Sequence, residues 1–213
     1  MLDIHPEDLE YPTSDGKPMG ETDEHRDQMI ALIQTLSDYF RDDPQVYVTG
    51  DLLLFYEEGN KRKHLSPDVM VVQGVEKRRR KHYLLWREGK APDLVFEITS
   101  ASTRKEDMGK KRRLYATLGV REYVLFDPRQ EYLEPRLRLL RWNGEDYVPV
   151  VGKLVLETIG LELAVVNDEL RLARPDGTLL ATREESLAEG DAALAEAQHR
   201  LQALEERLRQ LEG

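Results

Sequence analysis

The chain has 213 residues, of which 40% are hydrophobic and 34% are charged, and its formal net charge is −10. This length and apolar content suffice for one domain with its own core and an appendage. The absence of cysteine excludes disulfides, thiol catalysis and cysteine-ligated zinc.

The N-terminal residues 1–17 are acidic and contain no apolar core, so they do not have the pattern of a signal peptide. No apolar run approaches the roughly 20 residues that a membrane-spanning helix needs. We therefore expect a cytoplasmic protein without a membrane partner.

Basic residues are concentrated in one segment. Residues 61–113 contain 16 Lys or Arg against 7 Asp or Glu, a local balance of +9, whereas the remainder has 15 against 34, a balance of −19. Phosphate backbones respond to such a local patch, so the acidic net charge does not exclude a nucleic-acid partner. Each basic run taken alone is equally well explained as a solvated loop.

The N-terminal half begins with residues 1–20, a polar stretch with several Pro and Gly that predicts a loose arm. Apolar residues then recur at three- and four-residue spacing over 21–41, which predicts a helix with Thr22 as its N-cap. Residues 46–57 and 67–72 have the composition of strands.

The second half continues with a strand over 94–99 and a helix over 102–118. Thr103 and Glu106 fit a capping box, and Gly119 ends the helix. Five more strands are predicted, over 122–126, 136–142, 147–151, 161–163 and 170–173. The result is an α/β (α+β, mixed-sheet) domain over residues 21–181, with core order α-β-β-β-α-β and additional strands.

The last segment, residues 182–213, is rich in Ala, Leu, Glu, Arg and Gln. Its leucines recur every seven residues, with a second seam three residues later. The two seams are Leu187, Leu194, Leu201 and Leu208, and Ala197, Leu204 and Leu211. This spacing predicts a coiled-coil helix that joins two chains in a homodimer; the alternative is an amphipathic helix packed on its own domain.

Two carboxylates occur where strands should be apolar. Asp68 begins one strand, and Glu97 lies inside another on the face opposite Phe96 and Ile98. If the strands are neighbours, the carboxylates converge and repel unless a cation such as Mg²⁺ or Mn²⁺ lies between them. Alternatively, Asp68 is a turn residue and Glu97 faces solvent.

The order of these elements carries a resemblance to a known family. PDVMVV (67–72), PDLVFEITSAST (92–103), Asp107-x-x-x-Lys111-x-x-x-Tyr115 and the closing DP (127–128) resemble a bacterial restriction-endonuclease-like family of the PD-(D/E)XK nuclease superfamily. The resemblance covers about residues 20–175. It implies a restriction-endonuclease-like core and a Mg²⁺-dependent endonuclease that hydrolyses DNA, expected to be duplex.

The chain departs from the superfamily pattern at Thr99, where the usual lysine is absent. The resemblance implies that Lys111 on the following helix replaces it, sharing one helical face with Asp107 and Tyr115. The predicted catalytic residues are therefore Asp68, Glu97 and Lys111. The alternative for Lys111 is a surface ion pair with Asp107, which stabilises little.

The same resemblance implies a metal held by Asp68, Glu97 and the backbone carbonyl of Ile98. A glutamate of the first helix often joins such sites; Glu24 is the candidate, with Glu21 and Asp27 as alternatives. His25 on that helix has either a supporting role or a structural one.

Basic side chains near these motifs are the predicted nucleic-acid contacts: Lys77, Arg78, Arg79, Arg80, Lys81, Arg104, Lys105 and Lys110. The hydroxyls of Ser100, Ser102 and Thr103 either bind a phosphate or cap the helix. Two other functions stay open, a nucleic-acid-binding protein of the same fold without catalysis and a coiled-coil interaction module.

Overall fold

A computed structural model of the protein describes residues 11–14 and 22–212. Most of the predicted arm, residues 1–20, and Glu21 lie outside the described residues. The chain divides into two compact units, Met1–Leu180 and Ala181–Gly213.

The first unit is built on a six-stranded mixed sheet. Its strands, in spatial order, are β1 (Val46–Thr49), β4 (Val69–Gln73), β6 (Leu94–Ile98), β7 (Glu122–Phe126), β8 (Leu137–Trp142) and β9 (Tyr147–Pro149). β6 and β7 are parallel, and the other neighbours are antiparallel. The parallel pair requires a crossover, and the predicted second helix supplies it.

The first helix, α1 (Asp23–Tyr39), begins at Thr22, whose side chain accepts a hydrogen bond from the His25 amide. This confirms the predicted N-cap. Its apolar face, with Leu32 and Leu36, packs on one face of the main sheet.

The crossover helix spans residues 104–118 and is called the basic helix below. It consists of α3 (Arg104–Glu106), a π-helical turn (Asp107–Lys111) and α4 (Arg112–Leu118). Gly119 ends it in the left-handed conformation, as predicted. The capping-box prediction is wrong: Thr103 has a helical backbone, and its Oγ1 accepts from the Ser100 amide 3.1 Å away.

The predicted strand over 46–57 is two strands in different sheets. β1 ends at Thr49, and the chain then turns through Asp51, which has a positive φ of 48°. β2 (Leu54–Phe55) joins β3 (His64–Leu65) and β5 (Tyr83–Leu84) in a small sheet, followed by α2 (Leu85–Glu88). Alternating β-forming residues cannot reveal such a change of sheet.

The C-terminal part of the first unit forms a three-stranded antiparallel sheet. Its strands are β10 (Val155–Leu156), β11 (Leu161–Val166) and β12 (Glu169–Ala173). This sheet and α1 cover one face of the main sheet through a shared apolar cluster, and Tyr115 of the basic helix packs on the other. At the end of the main sheet where α1 begins, α1 therefore lies on one face and the basic helix on the other.

The second unit is the single helix α5 (Arg183–Glu212). Its seam leucines Leu187, Leu194, Leu201, Leu204 and Leu208 are between 52% and 64% exposed. Among the residues that the structure describes, no helix is long and apolar enough to span a membrane.

Gly50 allows the end of β1 to pass directly against the start of β4. A Cβ atom at this position would collide with the carbonyl oxygen of Asp68 and would lie 2.5 Å from Ile33 Cδ1. The first of these neighbours is backbone, so neither a rotamer change nor a small side-chain shift relieves the contact.

Gly50→Ala is expected to lower the free energy of unfolding by about 1–3 kcal/mol, the usual cost of overpacking, and to displace Asp68. Chemical denaturation measures the loss, with Gly109→Ala as the control because a Cβ there meets nothing within 4 Å. Equal stability of the two variants would contradict this packing.

Candidate active site

Asp68 and Glu97 lie opposite each other at one edge of the main sheet. In the antiparallel register of β4 and β6, Val69 pairs with Phe96. Asp68, which precedes Val69, therefore lies opposite Glu97, which follows Phe96. Side chains opposed in this way have Cβ atoms about 4.5–5.5 Å apart. The two predicted carboxylates therefore meet, because their strands are neighbours.

Glu97 is held on both oxygens and is withdrawn from solvent, with 1% of the residue exposed. Tyr115 donates its hydroxyl proton to Oε1 over 2.6 Å, and the Lys111 ammonium donates to Oε2 over 2.7 Å. Both partners come from the basic helix. The alternative that Glu97 faces solvent is therefore wrong.

Lys111 ends the π-helical turn and contacts two acidic side chains. Its Nζ lies 2.7 Å from Glu97 Oε2 and 3.0 Å from Asp107 Oδ1. The Lys111 side chain is 11% exposed and both carboxylates are 1% exposed, so this is a buried ion-pair network and not the surface pair considered above. π-Helical turns inside α-helices occur frequently at functional sites.

The charges of this network shift the pKa values of its members. Burial, followed by repulsion from Asp68 and Asp107, raises the pKa of Glu97 well above its usual range despite Lys111. Burial likewise raises the pKa of Asp107. Burial would lower the pKa of Lys111, but the surrounding carboxylates outweigh it and the net shift is upward. The lysine is therefore a protonated donor at neutral pH.

Asp68 is anchored between the sheet and α1. Its Oδ2 accepts from the Ile98 amide over 2.6 Å and lies 3.1 Å from His25 Nε2. The Asp68 side chain is 14% exposed and His25 is buried at 3%. His25 thus contacts Asp68 from the face of the sheet that α1 covers, opposite the face with the basic helix. The sequence did not predict which residue His25 contacts.

The acidic side chains at this edge are the candidates for holding a metal ion. Within residues 11–14 and 22–212, no three His, Asp or Glu side chains are grouped so as to hold an ion. Asp68 and Glu97 offer carboxylate oxygens, the ligands that suit Mg²⁺ or Mn²⁺. Lys111 pairs with Glu97 and Asp107, and Asp68 places a third carboxyl opposite Glu97. A divalent cation would offset the charge of these carboxyls once they are ionised, so the side chains fit such an ion.

The first helix does not bring Glu24 to the carboxylate pair. Glu24 is 54% exposed and accepts two hydrogen bonds from Arg129, 3.1 and 3.2 Å long. Asp27 is also exposed and is paired with Arg26. Because neighbouring helix residues point about 100° apart, His25 faces Asp68 in place of Glu24. Glu24 is paired with Arg129 in this structure, and its role as a metal ligand stays a prediction.

The predicted contacts at residues 77–81 lie at the other end of the sheet. The loop follows the last residue of β4, one strand length or about 15–20 Å from Asp68. Lys77 donates to the carbonyl oxygens of Phe40 and Arg41 at the C-terminal end of α1. These positions do not adjoin the carboxylates.

Most of this run stabilises its own loop. Arg78 and Arg80 both bind Glu88, and the Arg80 side chain is 1% exposed with its guanidinium 4.2 Å from the centre of the Tyr47 ring. Arg80 is therefore not available to a phosphate, which corrects that prediction. Arg79 and Lys81 are exposed.

The basic helix carries the remaining predicted contacts. The Arg104 guanidinium lies 5.3 Å from the centre of the Tyr132 ring. Lys105 is exposed, and Lys110 is 69% exposed with Glu106 at 3.8 Å. These three residues lie on the same helix as Lys111.

A pocket of about 220 Å³ adjoins the carboxylate pair. The segments that line it are the start of α1, the loop after β6 and the loop after β7. They contribute Thr22, His25, Thr99, Ser100, Ala101, Ser102, Asp127, Pro128, Arg129 and Tyr132. These three segments are distant in sequence, so the sequence predicted only the Ser100 and Ser102 hydroxyls among the pocket's walls, as phosphate contacts or helix caps.

Glu97→Gln preserves side-chain size and removes a buried charge. Because the pKa of Glu97 is raised in the folded state, the folded protein holds a proton on Glu97 at pH values above about 4.3, where the unfolded chain releases it. The contribution of Glu97 to stability therefore falls as pH rises from that value towards the folded pKa. In EDTA at pH 8, we expect Glu97→Gln to have a higher Tm than wild type, and the difference to vanish below about pH 4.

The control for this pH series is Glu58→Gln, in an exposed turn. Its Tm should follow that of wild type at each pH. An advantage of Glu97→Gln that is the same at pH 4 and pH 8 would contradict the assignment of a raised pKa to the buried carboxyl.

Residues 2–173 match the Uma2 family, which is described as "Putative restriction endonuclease". Among solved structures, the chain is similar to a protein of Anabaena variabilis ATCC 29413 described as a putative nuclease belonging to DUF820. The two share 17% identity and a TM-score of 0.47, over 68% of this chain and 79% of that one. No curated protein is significantly similar. Since the family match covers most of the chain, the protein belongs to the Uma2 family of restriction-endonuclease-like proteins.

Proposed function

We propose that the protein is a metal-dependent endonuclease that hydrolyses phosphodiester bonds of DNA. The observation that carries this proposal is Glu97, a glutamate buried inside a central strand with a lysine ammonium on one oxygen and Asp68 opposite. Such an arrangement is a poor source of stability, since burying charge is costly even when the charges are paired. Family membership supports nuclease chemistry.

In this proposal, Asp68, Glu97 and the carbonyl of Ile98 hold a Mg²⁺ or Mn²⁺ ion. When bound, such an ion lowers the pKa of a coordinated water and offsets the charge that develops on the phosphate. Asp68 retains its hydrogen bond from the Ile98 amide, which fixes the orientation of its carboxylate.

Lys111 is proposed to orient the attacking water and to stabilise negative charge on the phosphate oxygens. Its ammonium is a donor held between two carboxylates, so it serves better as a hydrogen-bond donor than as a base.

Two tyrosines support the lysine and the glutamate. Tyr115 fixes Glu97 through its 2.6 Å hydrogen bond, and Tyr123 donates to the backbone carbonyl of Asp107 over 3.0 Å. Both rings are buried in the apolar cluster beneath the basic helix. They are proposed as positioning residues, which hold the geometry without contacting the phosphate.

Nicking of supercoiled plasmid in Mg²⁺ tests the proposal. Wild type should cut, and Asp68→Ala and Lys111→Ala should each reduce the rate by at least about 100-fold, the typical effect of removing a group that stabilises the transition state. Lys153→Ala, which removes a pair with Glu162 elsewhere in the unit, should cut like wild type.

The competing function is nucleic-acid binding without catalysis, which Thr99 at the usual lysine position favours. Salt-dependent DNA binding by wild type without cutting in Mg²⁺ or Mn²⁺ would establish that function and reject the nuclease.

We also propose that α5 joins two chains in a coiled-coil homodimer. The seam leucines are more than half exposed in the single chain, and burial of such a seam against an identical helix is the usual source of coiled-coil stability. Two nuclease units in one dimer would suit cleavage of two strands.

A chain truncated after Ala181 should be monomeric, whereas the full chain should have twice the monomer mass. Light scattering on a sizing column measures both. A full chain that is monomeric at micromolar concentration, or a truncated chain that stays dimeric, would contradict the proposed role of α5.

A further inference from the structure

The catalytic groups proposed above are poorly accessible to a flat surface. Glu97 is 1% exposed, the Lys111 side chain 11% and the Asp68 side chain 14%. A duplex lying across the protein presents a convex phosphate backbone with its bases stacked inside. Such a backbone reaches a recessed site less readily than a flexible single strand does, so the route into the site matters for the choice of substrate.

The pocket is lined by residues that adjoin the carboxylates, not by the carboxylates themselves. His25 lines the pocket and lies 3.1 Å from Asp68 Oδ2. Thr99 lines it as well, two residues after Glu97 in the chain. A group bound in the pocket is therefore adjacent to the position where the scissile phosphate has to lie.

The walls of the pocket combine an aromatic ring with hydroxyl groups. The Tyr132 ring has the guanidinium of Arg104 5.3 Å from its centre. The Ser100 hydroxyl lies 2.9 Å from that of Ser102. Thr99 is only 3% exposed, and its Oγ1 is buried with no hydrogen-bond partner in the protein. A buried hydroxyl of this kind costs free energy unless a ligand or water satisfies it.

The charge near the pocket suits a nucleotide. Arg129 lines it and is 48% exposed, and its surface pair with Glu24 is of the weak, exchangeable kind. Its volume of about 220 Å³ is below the roughly 300–1,000 Å³ of pockets for drug-sized ligands, so it suits a single planar base. Aromatic rings and arginine are the groups on which unstacked bases stack.

We propose that this pocket binds one unpaired base of the substrate, next to the scissile phosphate. The substrate class is then single-stranded DNA, or duplex DNA with a locally unpaired nucleotide, in place of the intact duplex expected from the sequence. The inference rests on the proposed nuclease function, but DNA binding without cleavage is enough to test it.

The experiment uses the full chain in EDTA, so that no cleavage occurs. Fluorescence anisotropy measures affinity for a labelled 12-nucleotide single strand, for the blunt duplex of the same sequence, and for that duplex with one extra unpaired nucleotide. Wild type should bind the single strand and the bulged duplex more tightly than the blunt duplex. Tyr132→Ala should weaken binding of the first two by about 5- to 100-fold, the range for loss of one stacked base, and leave the blunt duplex unchanged.

Two variants keep the test independent of folding. Tyr132→Phe retains the ring and should bind like wild type, and Tyr39→Ala removes an exposed tyrosine near the far end of α1 and should change no affinity. Equal affinity of wild type for all three DNAs, or an equal loss for all three in Tyr132→Ala, would overturn the inference.

These outcomes are separate from the fate of the nuclease proposal. If the protein shows the Tyr132-dependent preference but never cuts DNA, the base-binding pocket is supported and the nuclease proposal is rejected. If the protein nicks intact duplex through the proposed catalytic residues but shows no preference for unpaired DNA in EDTA, the nuclease proposal is supported and the base-binding pocket is rejected.

Discussion

The ion pair of Lys111 with Glu97 and Asp107 is the interaction on which the candidate site depends. It joins a central strand to the helix that crosses over it, in a place where the carboxylates are 1% exposed. Removing Lys111 would leave two buried carboxyls without their cation, so the three residues form a unit. Asp68, Glu97 and Asp107 outnumber the single lysine, so a divalent cation is suited to offset their charge once all three carboxyls are ionised.

The fold brings these groups together with ordinary elements. The antiparallel register of β4 and β6 sets Asp68 opposite Glu97, and the parallel pair β6–β7 requires the crossover that carries Lys111. α1 reaches the same edge from the other face and contributes His25 to Asp68. Gly50 allows the backbone before Asp68 to lie close to β1. Each helix therefore anchors one of the two carboxylates.

The sequence was informative about features that depend on local periodicity. Alternation in β6 correctly predicted that Glu97 faces away from Phe96, and four-residue spacing grouped Asp107, Lys111 and Tyr115. Features that depend on tertiary topology were not predictable. Three such features are the change of sheet after Thr49, the π-helical turn and the pocket lined by the start of α1 and two loops. They depend on contacts between segments that are distant in sequence. The basic run over 76–81 is a further example. Composition shows that this segment is positively charged, but it does not show at which end of the sheet the segment lies.

Anomalous diffraction from a crystal of the protein soaked in Mn²⁺ is the most direct test of the central claim. The account predicts one strong peak within coordination distance of Asp68, Glu97 and the Ile98 carbonyl, with the Lys111 ammonium nearby, and no such peak in a crystal of Asp68→Ala. A fully occupied Mn²⁺ site elsewhere, with Glu97 still bound only to Lys111 and Tyr115, would contradict it.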